Sequence, residues 1–79
     1  MRKHLKELGR KLQVECPDND CRVFLNMFEM LEGVEDDLVG CTLSEWGKKV
    51  LQMERQRLEH ELDGMFYTNY AVRQFRNQK

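Results

Sequence analysis

Residues 42–75, TLSEWGKKVLQMERQRLEHELDGMFYTNYAVRQF, are the stretch that decides the fold. The first four have the pattern of a capping box, in which Thr42 accepts the amide of Glu45 and Glu45 bonds back to the amide of Thr42. Apolar residues then recur at helical spacing almost to the end of the stretch. Gly64 is the one interruption, and the apolar phase continues across it. We therefore predict a single helix of about 50 Å, too long for a chain of this size to cover alone.

Two apolar stripes run along this predicted helix. Trp46, Val50 and Met53 form the first, and we expect Trp46 and Val50 to pack in the core. The second stripe has close to heptad spacing and is predicted to pair two copies of the chain in an antiparallel or crossed dimer. Its seam residues are Leu51, Leu58, Leu62 and Met65.

Two shorter helices are expected ahead of the long one. Leucines at positions 5, 8 and 12 predict a helix over residues 2–14, weakened by Gly9 inside it. A second helix is predicted over residues 19–32, ending at Gly33, with residues 34–41 as an acidic linker. Phe24, Phe28 and Leu31 of this helix should contact Leu5 and Leu8 across the core, together with Trp46 and Val50.

The composition favours helices throughout. The sequence has no Ile and one Pro among its 79 residues, whereas the helix formers Glu, Lys, Arg, Gln, Leu and Met dominate. We predict an all-α fold with one domain over residues 1–79. It should have three, possibly four, helices, namely a short N-terminal helix plus a helical hairpin with one long amphipathic C-terminal helix, and it should form a dimeric bundle.

The charges are segregated along the chain although the net charge is only −1. Residues 16–45 hold one basic and eight acidic residues, while both ends are basic. A nucleic-acid-binding protein that uses the basic N-terminal helix and the C-terminal tail is therefore the alternative function. It ranks second because dedicated binders are usually basic as a domain. Its contact residues would be Arg2, Lys3, Lys6, Arg10, Lys11, Arg73 and Arg76.

Catalytic and metal-binding patterns are weak. Cys16, Cys21 and Cys41 do not form the two close pairs of a structural zinc site, and His4 and His60 lie on predicted charged helix faces. No glycine-rich phosphate loop is present. We expect no enzyme activity, no cofactor and no metal. No membrane association is expected either, and the odd number of cysteines favours free thiols and a cytoplasmic protein, or one of the host cytoplasm or nucleus if the source is viral.

The leading functional hypothesis is a small protein-binding regulator or adaptor, such as an anti-regulator or a chaperone-like factor. It would act as a homodimer through apolar helix faces, because methionines and aromatic residues together give an adaptable surface. The acidic linker would steer a basic partner. The expected partner-binding residues are Phe66, Tyr67, Tyr70, Phe75, Glu35, Asp36 and Asp37.

Overall fold

A computed structural model describes residues 1–77, and every regular element in that range is helical. The chain forms α1 (Lys3–Val14), α2 (Asn19–Gly40), α3 (Glu45–Thr68) and α4 (Tyr70–Arg76). The all-α prediction is confirmed, and residues 1–77 form four helices, the larger of the two numbers predicted. Pairing of two chains in a dimeric bundle stays a prediction.

Helix α2 is longer than its sequence indicates. It runs to Gly40, so the predicted end at Gly33 is wrong and the acidic linker is helical. Gly33 has no positive φ and lies inside the helix. An interior glycine costs only about 1 kcal/mol relative to alanine, and two residues further on the Glu35 carboxylate lies 2.6 Å from the Met1 amine. The chain therefore continues helically past the glycine.

Helix α3 starts and stops at other residues than predicted. Its N-cap is Ser44, whose hydroxyl accepts the amide of Gly47 at 3.1 Å, so the capping box at Thr42 does not form. Helix α3 ends at Thr68, and Asn69 then caps α4 by accepting the amide of Val72 at 3.1 Å. The predicted single helix is therefore broken, at Asn69 and not at Gly64. Asparagine is among the best N-cap residues, and an extended Asn69 backbone redirects the chain.

The core is one cluster contributed by all four helices. The cluster includes five residues that were predicted to pack together, and all five side chains are buried: Leu5, Leu8, Phe24, Phe28 and Leu31. The expected place of Trp46 and Val50 in the core is wrong, because these residues are 75% and 44% exposed. The buried apolar set is Leu5, Leu8, Leu12, Cys21, Phe24, Leu25, Phe28, Leu31, Leu58, Leu62, Phe66 and Val72.

Helix α1 covers only part of the α2–α3 hairpin. It has 12 residues against 22 in α2 and 24 in α3, or about 18 Å of helix against more than about 30 Å. The buried residues of α2 end at Leu31 and those of α3 begin at Leu58. Residues 36–53, here called the hairpin tip, contain no buried residue. The molecule is accordingly elongated, with extents of 43 × 22 × 21 Å.

Candidate functional site

The hairpin tip presents a row of apolar side chains to solvent. Trp46, Val50 and Met53, here called the tip stripe, follow one another on one face of α3 and are 75%, 44% and 70% exposed. Together with Glu54 and Arg57 they line one shallow depression. Large apolar side chains grouped in this way on a surface are typical of contact sites for other molecules.

Charged residues border the tip stripe and are partly paired with one another. The Arg57 guanidinium donates to Glu54 at 2.5 Å and to Glu61 at 3.1 Å. The hydrogen bond from Arg57 lowers the pKa of Glu54, which keeps this carboxyl charged at neutral pH. Lys49 is exposed beside the stripe. The depression is thus apolar in the middle and polar at its edges, as protein interfaces usually are.

The predicted dimer seam faces the opposite way, into the chain itself. Leu58 and Leu62 are 1% and 0% exposed, and both belong to the core cluster. Leu51 and Met65 are half-buried. The expectation that these residues form a seam between two chains is thereby corrected. Helices α1, α2 and α4 already cover this face of α3, so a second chain would have to bind a different face.

The predicted aromatic contact residues are divided between core and surface. Phe66 is buried, with the His4 ring at 4.6 Å on one side and the Arg76 guanidinium 4.5 Å from its ring centroid. Phe75 is half-buried against the core. Tyr67 and Tyr70 are 57% and 74% exposed, so only these two of the four are accessible to a partner.

The acidic residues expected to steer a partner differ in whether a partner could reach them. Glu35 lies 2.6 Å from the Met1 amine and is therefore engaged within the chain. Asp36 and Asp37 are exposed on the hairpin tip. The Asp37 carboxylate accepts a hydrogen bond from the Cys41 thiol at 3.8 Å. The tip thus combines an apolar stripe with three exposed carboxylates, those of Asp36, Asp37 and Glu45.

Three of the seven basic residues proposed for nucleic acid are engaged in contacts with another helix of the chain. Arg2 pairs with Glu59 and Asp63, at 3.5 and 2.7 Å, and Arg10 pairs with Glu32 at 2.5 Å. Arg76 stacks on the Phe66 ring, and its Nε is buried with no hydrogen-bond partner among residues 1–77. The more accessible cations of the set are Lys3, Lys6, Lys11 and Arg73. Lys3, Lys6 and Lys11 belong to the outer side of α1, where they line a shallow depression with Glu7 and Arg10.

A histidine–aspartate pair joins α1 to α3. His4 Nε2 lies 2.8 Å from Asp63 Oδ1, and Arg2 donates to Asp63 Oδ2 at 2.7 Å. The hydrogen bond with His4, followed by the charge of Arg2, lowers the pKa of Asp63. A nearby depression is lined by His4, Glu7, Leu8, Lys11, Phe66 and Arg76. The pair thus links the N-terminal part of α1 to the C-terminal part of α3.

The three cysteines differ in exposure. Burial raises the pKa of the Cys21 thiol to about 11, and the Asp18 carboxylate adds to the shift. Cys21 therefore stays a thiol near neutral pH, whereas Cys41 is exposed and Cys16 half-buried. Within residues 1–77, no group of three His, Cys, Asp or Glu side chains is placed to hold a metal ion.

Comparison with known proteins adds no assignment, since no family model, curated protein or solved structure matches the chain. Over the described range, none of the helices combines the length and apolar character that crossing a membrane requires. The assignment of a candidate site therefore rests on the exposed side chains alone. Its three central residues were visible in the sequence as a stripe, but the spacing did not show which face of α3 the rest of the chain would cover.

Proposed function

We propose that this chain is a small, non-enzymatic protein-binding regulator or adaptor that works as a homodimer and binds through the apolar face of its hairpin tip. The observation that carries the proposal is the tip stripe. Trp46 and Met53 are each at least 70% exposed, although the fold has a core in which other apolar side chains are fully covered. Three such residues in one depression make a contact surface.

Covering the tip stripe gives a substantial free energy. Full burial of a large apolar side chain contributes about 1.5–3 kcal/mol relative to its exposed state. Tryptophan is enriched among the residues that dominate binding energy at interfaces. Met53 adds a flexible, polarizable side chain that adapts to different partner shapes. The tip stripe is therefore the strongest apolar anchor that this surface offers.

The accessible acidic residues of the tip support a partner with basic character. Asp36 and Asp37 are exposed close to the end of α2. Charges at the rim of an interface raise the rate of association more than they raise the affinity. Tyr67, near the end of α3, and Tyr70, the first residue of α4, are exposed away from the tip and offer a second contact area.

Nucleic-acid binding through α1 is the second candidate. It is supported by the exposed amines of Lys3, Lys6 and Lys11 on one helix. Two of the arginines that would contribute to this surface, Arg2 and Arg10, are instead paired with carboxylates of α3 and α2. A surface with few free cations releases few counterions on binding a phosphate backbone, which predicts weak binding with a shallow salt dependence.

Site-specific photo-crosslinking in the source cells tests the two candidates side by side. A photoreactive residue is placed at Met53 in the stripe, at Lys6 on α1, or at Arg55, an exposed position of α3 outside the stripe that serves as the control. We expect protein adducts from position 53 that exceed those from position 55, because the reactive group at position 53 would be enclosed by the partner. Adducts that survive nuclease treatment identify a protein.

The opposite pattern would reverse the order of the candidates. Nuclease-sensitive adducts from position 6, combined with equal labelling at positions 53 and 55, would assign the function to α1 and nucleic acid. Labelling at position 53 that does not exceed labelling at position 55 would by itself contradict binding through the tip stripe.

A further inference from the structure

We propose that the tip stripe is occupied by a second copy of this chain, with the two α3 helices side by side and parallel. The inference rests on the proposed function, because it names the occupant of the surface described there. It is carried by the spacing of the stripe and by the charges on its two flanks.

The stripe has the heptad positions of a short two-stranded seam. With Val50 at position a, Trp46 and Met53 occupy the two flanking d positions. A β-branched residue at position a is typical of two-stranded parallel pairs, in which position d is usually Leu and is here Trp46 or Met53. The seam spans about two turns of helix, and the helix is already held in place by its own hairpin with α2.

The opposite face of α3 leaves this seam free. In the same heptad frame, Leu51, Leu58 and Met65 take position b, and Leu62 takes position f. These are the positions that point away from a seam, and here Leu58 and Leu62 are buried among α1, α2 and α4. Helix α3 therefore packs on its own chain with one face and has the a and d positions available on the other.

The flanking charges are complementary in the parallel arrangement. Lys49 takes position g and Glu54 takes position e, five residues further along. In a parallel pair, position g of one helix lies beside the following position e of its partner. Lys49 of each copy then meets Glu54 of the other, which gives two attractive contacts across one two-fold axis.

An antiparallel overlay of the same stripe has the opposite electrostatics. Antiparallel helices bring the same flank of each chain together, so position g lies beside position g. Matching Trp46 of one copy with Met53 of the other places the two Lys49 side chains at the same height on the same side. This repulsion selects the parallel orientation, since like charges in contact are disfavoured.

The seam ends at Arg57, which would take the next position a. In the chain, this guanidinium is drawn to Glu54 and Glu61, both at position e, by contacts of 2.5 and 3.1 Å. The positive charge of Arg57 is thereby neutralised by carboxylates at the side of the seam, so it does not face the same guanidinium in the second copy. The apolar contact is thus confined to the hairpin tip, and a small interface of this kind predicts an association that depends on protein concentration.

Disulfide trapping distinguishes the parallel pair from other arrangements. Met53→Cys is placed in a chain that also carries Cys16→Ser and Cys41→Ser, while buried Cys21 is kept. Position d residues of a parallel pair approach within the Cα separation of about 4.4–6.8 Å that a disulfide requires. The matched control is Gln52→Cys, also exposed but at position c on the side of the helix.

In a glutathione redox buffer, we expect on the order of tenfold more linked dimer from Met53→Cys than from Gln52→Cys. Met53 is 70% exposed, so the substitution leaves the fold intact, and circular dichroism checks this. Equal amounts of disulfide-linked dimer from the two variants would overturn the parallel seam. So would the absence of linked dimer at concentrations where sedimentation shows that the chain is dimeric. A wild-type chain that sediments as a monomer at every concentration would overturn self-association. The monomer result would also remove the homodimer from the proposed function, but neither result touches protein binding through the tip stripe, which fails only if the photo-crosslinks at position 53 do not exceed those at position 55.

Discussion

Replacing Leu58 by glutamate is expected to unfold the single chain. The Leu58 side chain is 1% exposed and lies in the apolar core cluster, in which no polar or charged residue is buried. A carboxylate there loses its hydration and gains no partner, with a cost on the order of 5 kcal/mol. This equals much of the stability of a domain of this size. Far-UV circular dichroism and a urea titration should show an unfolded or barely folded chain.

Val50→Glu is the matched control for this experiment. Val50 lies on the same helix but is 44% exposed, so the same new charge stays in water and should change the free energy of unfolding by less than about 1 kcal/mol. A Leu58→Glu chain that kept its helical content and merely changed its association state would contradict the assignment of Leu58 to the core. It would restore the leucine seam expected from the heptad spacing.

The second large effect is expected at Gly9, where α1 meets α2. A Cβ atom at this position would overlap the Phe28 ring. Its distance to the nearest ring carbons would be well under 3.0 Å, a separation that Cβ atoms essentially never show. Phe28 is fully buried and cannot swing away. Gly9→Ala should therefore destabilise the fold by about 1–3 kcal/mol, as overpacking of a filled core does. Helix propensity alone predicts the opposite, a gain of about 1 kcal/mol. Thermal and urea unfolding give the sign directly.

Gly33→Ala and Gly64→Ala are the controls for Gly9→Ala. Both glycines lie inside helices, and a Cβ atom at either meets nothing within 4 Å. Each control should raise the free energy of unfolding by about 0.5–1 kcal/mol. If Gly9→Ala stabilised the chain as the controls do, the close contact between α1 and the Phe28 ring would not exist in solution.

The apolar spacing predicted the helical class and much of the core. Leucines at positions 5, 8 and 12 predicted the first helix to within one residue, and they are buried as expected. Spacing shows which residues share a face of a helix, but it does not show which face the rest of the chain covers. Trp46 and Val50 were assigned to the core on this ground, while the short α1 leaves the hairpin tip uncovered.

The ends of the helices were harder to predict because several residues compete to cap them. Thr42 and Ser44 are both good N-cap residues, and the pattern around Thr42 is the more complete capping box. The chain uses Ser44 instead, and it uses Asn69 to begin α4. The capping hydrogen bonds that compete at a helix end are similar in strength, so they do not decide where the helix ends. The break between α3 and α4 is instead fixed by the packing of Phe66 and Val72 into one core.

The fluorescence of Trp46 as a function of protein concentration tests the central claim most directly. Trp46 is the only tryptophan of the chain, and it is 75% exposed at one end of the proposed contact. We predict that its emission shifts from the wavelength of a hydrated indole to shorter wavelengths as the concentration rises, and that Val50→Glu abolishes this shift without unfolding the chain. An emission that stays at the hydrated wavelength over the whole range, equal in both proteins, would contradict the seam between two copies.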